Sequence, residues 1–194
     1  MTTLSWASLT TPVGPVSVGC SDEGVAQVRY GPARAEDAGP RAGVLAAAAR
    51  QQLIEYFRGH RQDFDLPLDW SGTAGPQREV LKTLDGSVGY GETITYGALG
   101  TRAGLRADGE LPPGRVVGQI MGSNPIPVIV PCHRVLASDG LGGYSGGAGV
   151  EVKRWLLILE GALPPTLDWE PADPAANTDP ADGTALRQST DLAR

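Results

Sequence analysis

Cys132 closes the apolar run "IPVIVPCHRV", which covers residues 126–135, and is followed at once by His133 and Arg134. A thiol attacks as thiolate, and imidazole or guanidinium groups beside it favour that form. A cysteine kept only for packing gains nothing from such neighbours. Adjacency in sequence is not contact, because successive residues of a strand point to opposite faces. A nucleophile and a buried packing residue are therefore both open readings of these three positions. Cys20, the only other cysteine, ends a predicted strand with no ionisable neighbour and reads as inert. With only His60 and His133 to add, the chain holds no sequence-local zinc pattern, and no metal or other cofactor is expected. Two free thiols suit a reducing compartment.

The elements that must position Cys132 fall into two groups. "LSWASL", "VSVGC" and "VAQVRY", separated by turn residues at Pro12–Gly14 and Asp22–Gly24, predict a β-meander. A Gly/Pro/Ala-rich link leads to a helix at about 44–58 with Leu45, Ala49, Leu53 and Tyr56–Phe57 on one face, and "DFDLPLDW" then alternates like an edge strand. From Pro76 the pattern changes to short helices. "PQREVLKTL" opens on a proline suited to a first helical turn. Thr95 can cap "YGALGTRA", which Gly104 ends. Arg115 to Met121 predict another helix, halted by Gly122 and Asn124-Pro125, that feeds a strand carrying Cys132. Val152, Trp155, Leu156 and Leu159 mark a last helix before Gly161. Residues 1–70 thus read as an α/β domain and 71–164 as a mainly helical one. Residues 165–194, rich in Pro, Asp and Ala, read as a disordered acidic tail.

The bulk composition sets bounds. With 194 residues, 41% apolar and 20% charged, the chain can bury a core without covalent staples. No apolar run approaches the length of a membrane span, and "MTTLSWASLTTPVG" lacks the basic start and apolar core of a signal peptide. A cytoplasmic location and no membrane partner are expected. The net charge of −6 is uneven: residues 165–194 carry six acids and two bases, while 71–164 carry eight of each. Charge therefore neither demands nor excludes a nucleic-acid partner.

The pieces "GYGETITYGAL", "GRVVGQIMGSNPIPVIVPCHRV", "GYSGG" and "KRWLLILEG", in this order over about residues 73–161, resemble the methylated-DNA–protein-cysteine methyltransferases, the O6-alkylguanine-DNA alkyltransferases of the stand-alone bacterial type. The resemblance implies a small N-terminal α/β domain, ribonuclease H-like, before a mainly helical C-terminal domain with a winged-helix-like helix-turn-helix. It implies one-turnover transfer of a methyl or larger alkyl group from O6-alkylguanine, and from O4-methylthymine, in double-stranded DNA. The acceptor is Cys132. His133 takes the thiol proton through a water, Glu160 orients the imidazole, and Tyr96 serves the departing base. The target must be flipped out of the duplex to be reached. Arg115 fills the vacated space from the minor groove, Gly118 allows close approach to the backbone, and Tyr96 and Arg134 also face DNA. Asn124 is the hinge between helix and active-site strand. Tyr144, Ser145 and Gly146 form the loop over the base. A monomer is implied, with cooperative assembly on DNA left open.

The chain departs from the family pattern in places. "LRADGELPPGR" is about five residues longer than usual before Arg115, Ile120 adds bulk where a small residue is common on the DNA-facing helix, and "AGPQREV" lacks the usual aromatic before its glutamine. The "GYSGG" loop is about one residue short, and the following "AGVEV" correspondingly longer. Two other functions compete with the reading. A non-enzymatic alkyltransferase-like damage-binding protein would replace the nucleophile, which Cys132 argues against. A Cys-His hydrolase would use the dyad for acyl transfer but leaves Arg115 and Asn124-Pro125 unexplained.

Overall fold

The computed structural model describes residues 3–33, 38–106 and 111–165. The acidic tail expected beyond residue 165, and part of the long loop before Arg115, lie outside the described residues. The chain forms two units, a small sheet domain followed by a helical domain.

The sheet is a three-stranded antiparallel meander, β1 (Ser5–Thr11), β2 (Gly14–Cys20) and β3 (Val25–Tyr30), in the order β1-β2-β3. Its register places Leu9 opposite Val16, Ala7 opposite Val18 and Val18 opposite Val28, so alternate residues share the inner face. Helix α1 (Pro40–Phe57) covers that face with Ala42, Ala46, Ala49, Leu53, Tyr56 and Phe57. Its alanines let the helix lie close to the strands. The helix starts earlier than residue 44 because Pro40 occupies the first turn, where its missing N–H costs nothing. Cys20 is fully buried, and burial pushes its thiol up to about 12. The segment "DFDLPLDW" is not a strand. Leu68 makes one isolated parallel bridge to Val25, because Pro67 has no N–H to continue a ladder. Gly24 is required beside it: its φ is +152°, and a Cβ there would lie 2.3 Å from the Pro67 carbonyl oxygen.

The helical domain begins with α2 (Gly75–Ser87), which buries Val80, Leu81 and Leu84. Gln77 ties α2 to Ser123, donating from Nε2 to its carbonyl at 3.1 Å. Strand β4 (Ile94–Thr95) leads into α3 (Tyr96–Arg102), whose first turn is capped by Thr95 Oγ1 accepting from the Ala98 N–H at 3.2 Å. Helix α4 (Pro113–Gly122) again opens on a proline. It crosses α3 closely: a Cβ on Gly100 would sit 2.9 Å from that of Pro113. Val117, Ile120 and Met121 face the core, so the bulk expected from Ile120 is not on the exposed side; that residue is 7% exposed. The last helix, α5 (Val150–Leu159), buries Val152, Leu156, Leu157 and Ile158.

The run 126–131 is not the strand that its apolar residues suggest. Asn124 folds it into a compact turn, accepting at Oδ1 from the Ile126 N–H (3.0 Å) and donating from Nδ2 to the Val130 carbonyl (2.9 Å). Val128 at the tip has φ 74°, a left-handed conformation costly for a β-branched residue, and is fully buried. Pro131, at φ −83° and ψ 63°, makes an inverse γ-turn closed by Cys132 N–H donating to the Val130 carbonyl at 2.8 Å. A single 3-10 turn, Cys132–Arg134, follows, and then β5 (Val135–Leu136), parallel to β4. No helix among the described residues is long and apolar enough to cross a membrane.

Candidate active site

Because Cys132 lies on a 3-10 turn, three successive side chains point in three directions, roughly a third of a turn apart. The thiol, 4% exposed, looks into a cleft of about 510 Å³. His133 and Arg134 turn inward to α5. The β4–β5 pairing brings the start of α3, and with it Tyr96, to the same cleft. Arg115, exposed on the first turn of α4, and Gly118 line the opposite wall, while Tyr144 and Ser145 close the third side. A Cβ on Gly118 would meet no atom within 4 Å, so the small residue leaves that wall open.

Glu160, the residue that ends α5, receives five donors. His133 Nε2 (2.9 Å), Arg134 Nη2 (2.9 Å) and the Tyr56 hydroxyl (2.6 Å) meet Oε1; Arg134 Nε (2.8 Å) and the Gly91 N–H (3.3 Å) meet Oε2. A carboxylate at a helix C-terminus opposes the dipole. Burial would raise its pKa further, but the His133 and Arg134 hydrogen bonds and charge overcome both and hold it at about 2. An ionised Glu160 can only accept, so the His133 proton sits on Nε2 and the lone pair on Nδ1. That Nδ1 is buried and has no protein hydrogen-bond partner among the described residues. Burial lowers the His133 pKa against the pull of Glu160, leaving the imidazole neutral at pH 7 and able to take a proton.

Burial also pushes the Cys132 thiol up, outweighing the Asn124 amide, the Lys153 charge and the Tyr144 hydroxyl that favour thiolate. The resting group is a thiol, and attack requires a base. Tyr96 is likewise raised, first by burial and then by Cys132, and keeps its phenolic proton, donated to the Gly143 carbonyl at 3.2 Å. The loop carrying Tyr144, Ser145 and Gly146 is fastened from the sheet domain: the Tyr144 and Tyr30 hydroxyls are 2.8 Å apart, and the Tyr30 ring lies against Gly146 and Gly147.

The structure corrects one assignment. Arg134 is not on a DNA-facing surface: it is 6% exposed, forked onto Glu160, and donates from Nη1 to the Val88 carbonyl at 2.7 Å. Its sequence position beside Cys132 says nothing about a partner 26 residues away. Cys132, His133, Glu160 and Tyr96 do lie together, with Arg115, Gly118, Asn124 and the Tyr144–Gly146 loop around the cleft. Lys153 escaped notice. It is fully buried, donates to the carbonyls of Val135 (2.6 Å) and Gly143 (3.1 Å) and to the Tyr96 hydroxyl (3.5 Å), and is pulled down to about 8 by burial. The clue was its spacing: Lys153, Leu157 and Glu160 recur at helical period, which puts a cation inside an apolar stripe. Tyr56 was read only as a core residue.

Models of two families cover most of the chain: the ribonuclease-like domain of 6-O-methylguanine DNA methyltransferase over residues 4–70, and its DNA-binding domain over residues 76–162. A "DNA base-flipping protein" of Thermus thermophilus is 42% identical over 158 residues, covering 80% of this chain and 99% of the relative. A methylated-DNA–protein-cysteine methyltransferase of Mycobacterium tuberculosis is 36% identical over 170 residues, 84% of this chain and 95% of the relative. Among solved structures, Mycobacterium tuberculosis OGT in complex with DNA superposes with a TM-score of 0.66 at 34% identity, covering 81% of this chain and 93% of that one. These matches span both domains and include the segment that builds the Cys132 cleft. By sequence and by fold, the chain belongs to the 6-O-methylguanine DNA methyltransferase family.

Proposed function

We propose that the protein repairs alkylated DNA by moving the alkyl group of a flipped O6-alkylguanine, or O4-methylthymine, onto Cys132, once per molecule. The observation that carries this reading is the His133 Nδ1, buried with no protein hydrogen-bond partner among the described residues, on the same turn as the buried Cys132 thiol and backed by a carboxylate that fixes the tautomer. In the reaction the thiol proton passes to Nδ1 through a water, the sulfur bonds to the alkyl carbon, and the carbon–oxygen bond breaks with its electron pair leaving on guanine O6. Tyr96 donates a hydrogen bond to that oxygen, and the proton held on the imidazolium returns to the base, which departs as ordinary guanine. The thioether has no neighbouring group able to hydrolyse it, hence the single turnover.

The assignment of duplex DNA rests on the family and on the wall formed by α4. Arg115 is the wedge that occupies the gap left by the flipped nucleotide, and Gly118 lets the helix approach the minor groove. Asn124 holds α4 to the active-site turn, and Ser145, exposed at the cleft mouth, contacts the base. In this reading the sheet domain is ribonuclease H-like, α3 and α4 form a winged-helix-like helix-turn-helix, and the protein acts as a cytoplasmic monomer that can assemble along DNA. The test is incubation with a duplex carrying one O6-methylguanine, followed by intact mass. One added methyl on the native protein and none on Cys132→Ala, with repair stopping at one equivalent, is the expected result. Selective binding of the damaged duplex without any mass gain would overturn alkyl transfer and leave a damage-binding protein.

A further inference from the structure

Tyr56 belongs to α1, in the sheet domain, yet its hydroxyl is 2.6 Å from the same Glu160 oxygen to which His133 donates. The side chain is fully exclusion-packed at 0% exposure, its ring set against Phe57, Phe64 and Tyr90 at centroid distances of 5.5, 5.3 and 6.3 Å. A buried phenol needs a hydrogen-bond partner, and here that partner is the carboxylate oxygen that also faces His133. We infer that Tyr56 is a positioning residue for alkyl transfer: by sharing Glu160 Oε1 it limits the negative charge offered to His133 and keeps the imidazole a neutral base. The inference rests on the proposed role of His133 and deepens it.

The physical argument follows the charge on one oxygen. Oε1 accepts from Tyr56, His133 and Arg134 Nη2. Each donor draws on the same lone pairs, so a weaker share for one means a stronger share for the others. Without the phenol, Oε1 would stabilise the imidazolium more strongly and the His133 pKa would rise. The remaining groups facing the pair are accounted for. Arg134 and Lys153 lower the His133 pKa, and Cys132 precedes it on the turn. Tyr90 lies against Arg134 and donates to the Leu159 carbonyl, Gly91 gives its N–H to Oε2, and Asp85 of α2 acts through Arg134. None of these can replace the phenol on Oε1. Burial and Glu160 keep the Tyr56 hydroxyl protonated, so it remains a donor at every working pH.

The substitution Tyr56→Phe keeps the ring cluster and removes only the donor. Two histidines in the chain make the test direct, since 15N resonances of His133 and His60 are separable by His60→Gln. The full-length native protein is expected to show His133 as the Nε2–H neutral tautomer, titrating below 6.5. In Tyr56→Phe the titration moves up by about half to one pH unit, and the acid limb of the single-turnover methyl-transfer rate moves with it, with about a three- to tenfold loss of rate at pH values below both midpoints. A His133 titration identical in both proteins overturns the inference, whatever happens to the rate. Because the resonance needs no substrate, absence of methyl transfer in the native protein would sink the proposed function without obscuring this result. A uniform loss of rate at all pH values, with the limb unmoved, marks Tyr56 as a packing residue and equally overturns it.

Discussion

Glu160 holds five donors within 3.3 Å in a region closed to solvent, whereas across the thiol the loop from Gly140 to Gly149 offers an exposed Ser145 and hangs from a few contacts. The first wall is over-determined. Four groups, Tyr56, Gly91, His133 and Arg134, converge on the carboxylate and leave it no freedom to turn. The second wall depends on the Tyr30–Tyr144 hydroxyl pair and on Lys153 reaching the Gly143 carbonyl, with left-handed backbone at Gly142, Gly147 and Gly149. The difference matches two tasks of the proposed reaction. Setting the proton affinity of His133 requires fixed geometry, while admitting and enclosing a base requires a wall that yields.

Several changes would break or sharpen that contrast. Loss of the nucleophile in Cys132→Ala should abolish the mass gain entirely while leaving both walls intact, as checked by unchanged thermal unfolding. Arg134→Ala should be the most disruptive change in the rigid wall, because it strands a buried carboxylate; about 3–5 kcal/mol of stability should disappear in urea unfolding. A loss below about 1 kcal/mol would mean that the wall is less closed than described. Acid should act on the same region. Glu160 is depressed from 4.5 to about 2, so its stabilisation is present above 4.5 and is lost as pH falls through that window. His133, lowered from 6.5, adds a loss of the same sign beginning below 6.5, since the unfolded chain takes up the proton first. Unfolding followed from pH 7 to 3 should show both stages, and Glu160→Gln should remove the lower one. The smallest effect belongs to the yielding wall: Tyr30→Phe deletes one half-buried hydrogen bond, worth about 1 kcal/mol, and should change stability little while loosening the loop in hydrogen exchange.

The two walls also differ in how far the sequence discloses them. Local signals placed the frame: Pro76 at a helix start, Thr95 as a cap, Gly104 as a stop and the apolar spacing of α5 all correspond to what the chain does. The run before Cys132 misled because its valines and isoleucines have strand propensity, while Asn124, Pro127 and Pro131 fold it into turns. Tertiary closure overrode propensity there, to the point of holding Val128 at a positive φ. The residues Cys132, His133, Glu160 and Tyr96 were legible through their family motifs. Arg134 was not, because a side chain's partner across 26 residues leaves no local mark. Tyr56 shows the same limit over a longer span: an amphipathic helix face identifies a buried tyrosine but not where its hydroxyl ends, here 104 residues on.

The contact of Gly100 with Pro113 has a consequence for how this chain can vary. Gly100 of α3 and Pro113 of α4 meet close to the two ends of the segment that joins the helices. Lengthening the join then acts as a loop-closure entropy, with each doubling costing only about 0.6 kcal/mol. A longer connection before Arg115 therefore costs little, and a label grafted there is expected to leave the Gly100–Pro113 contact in place.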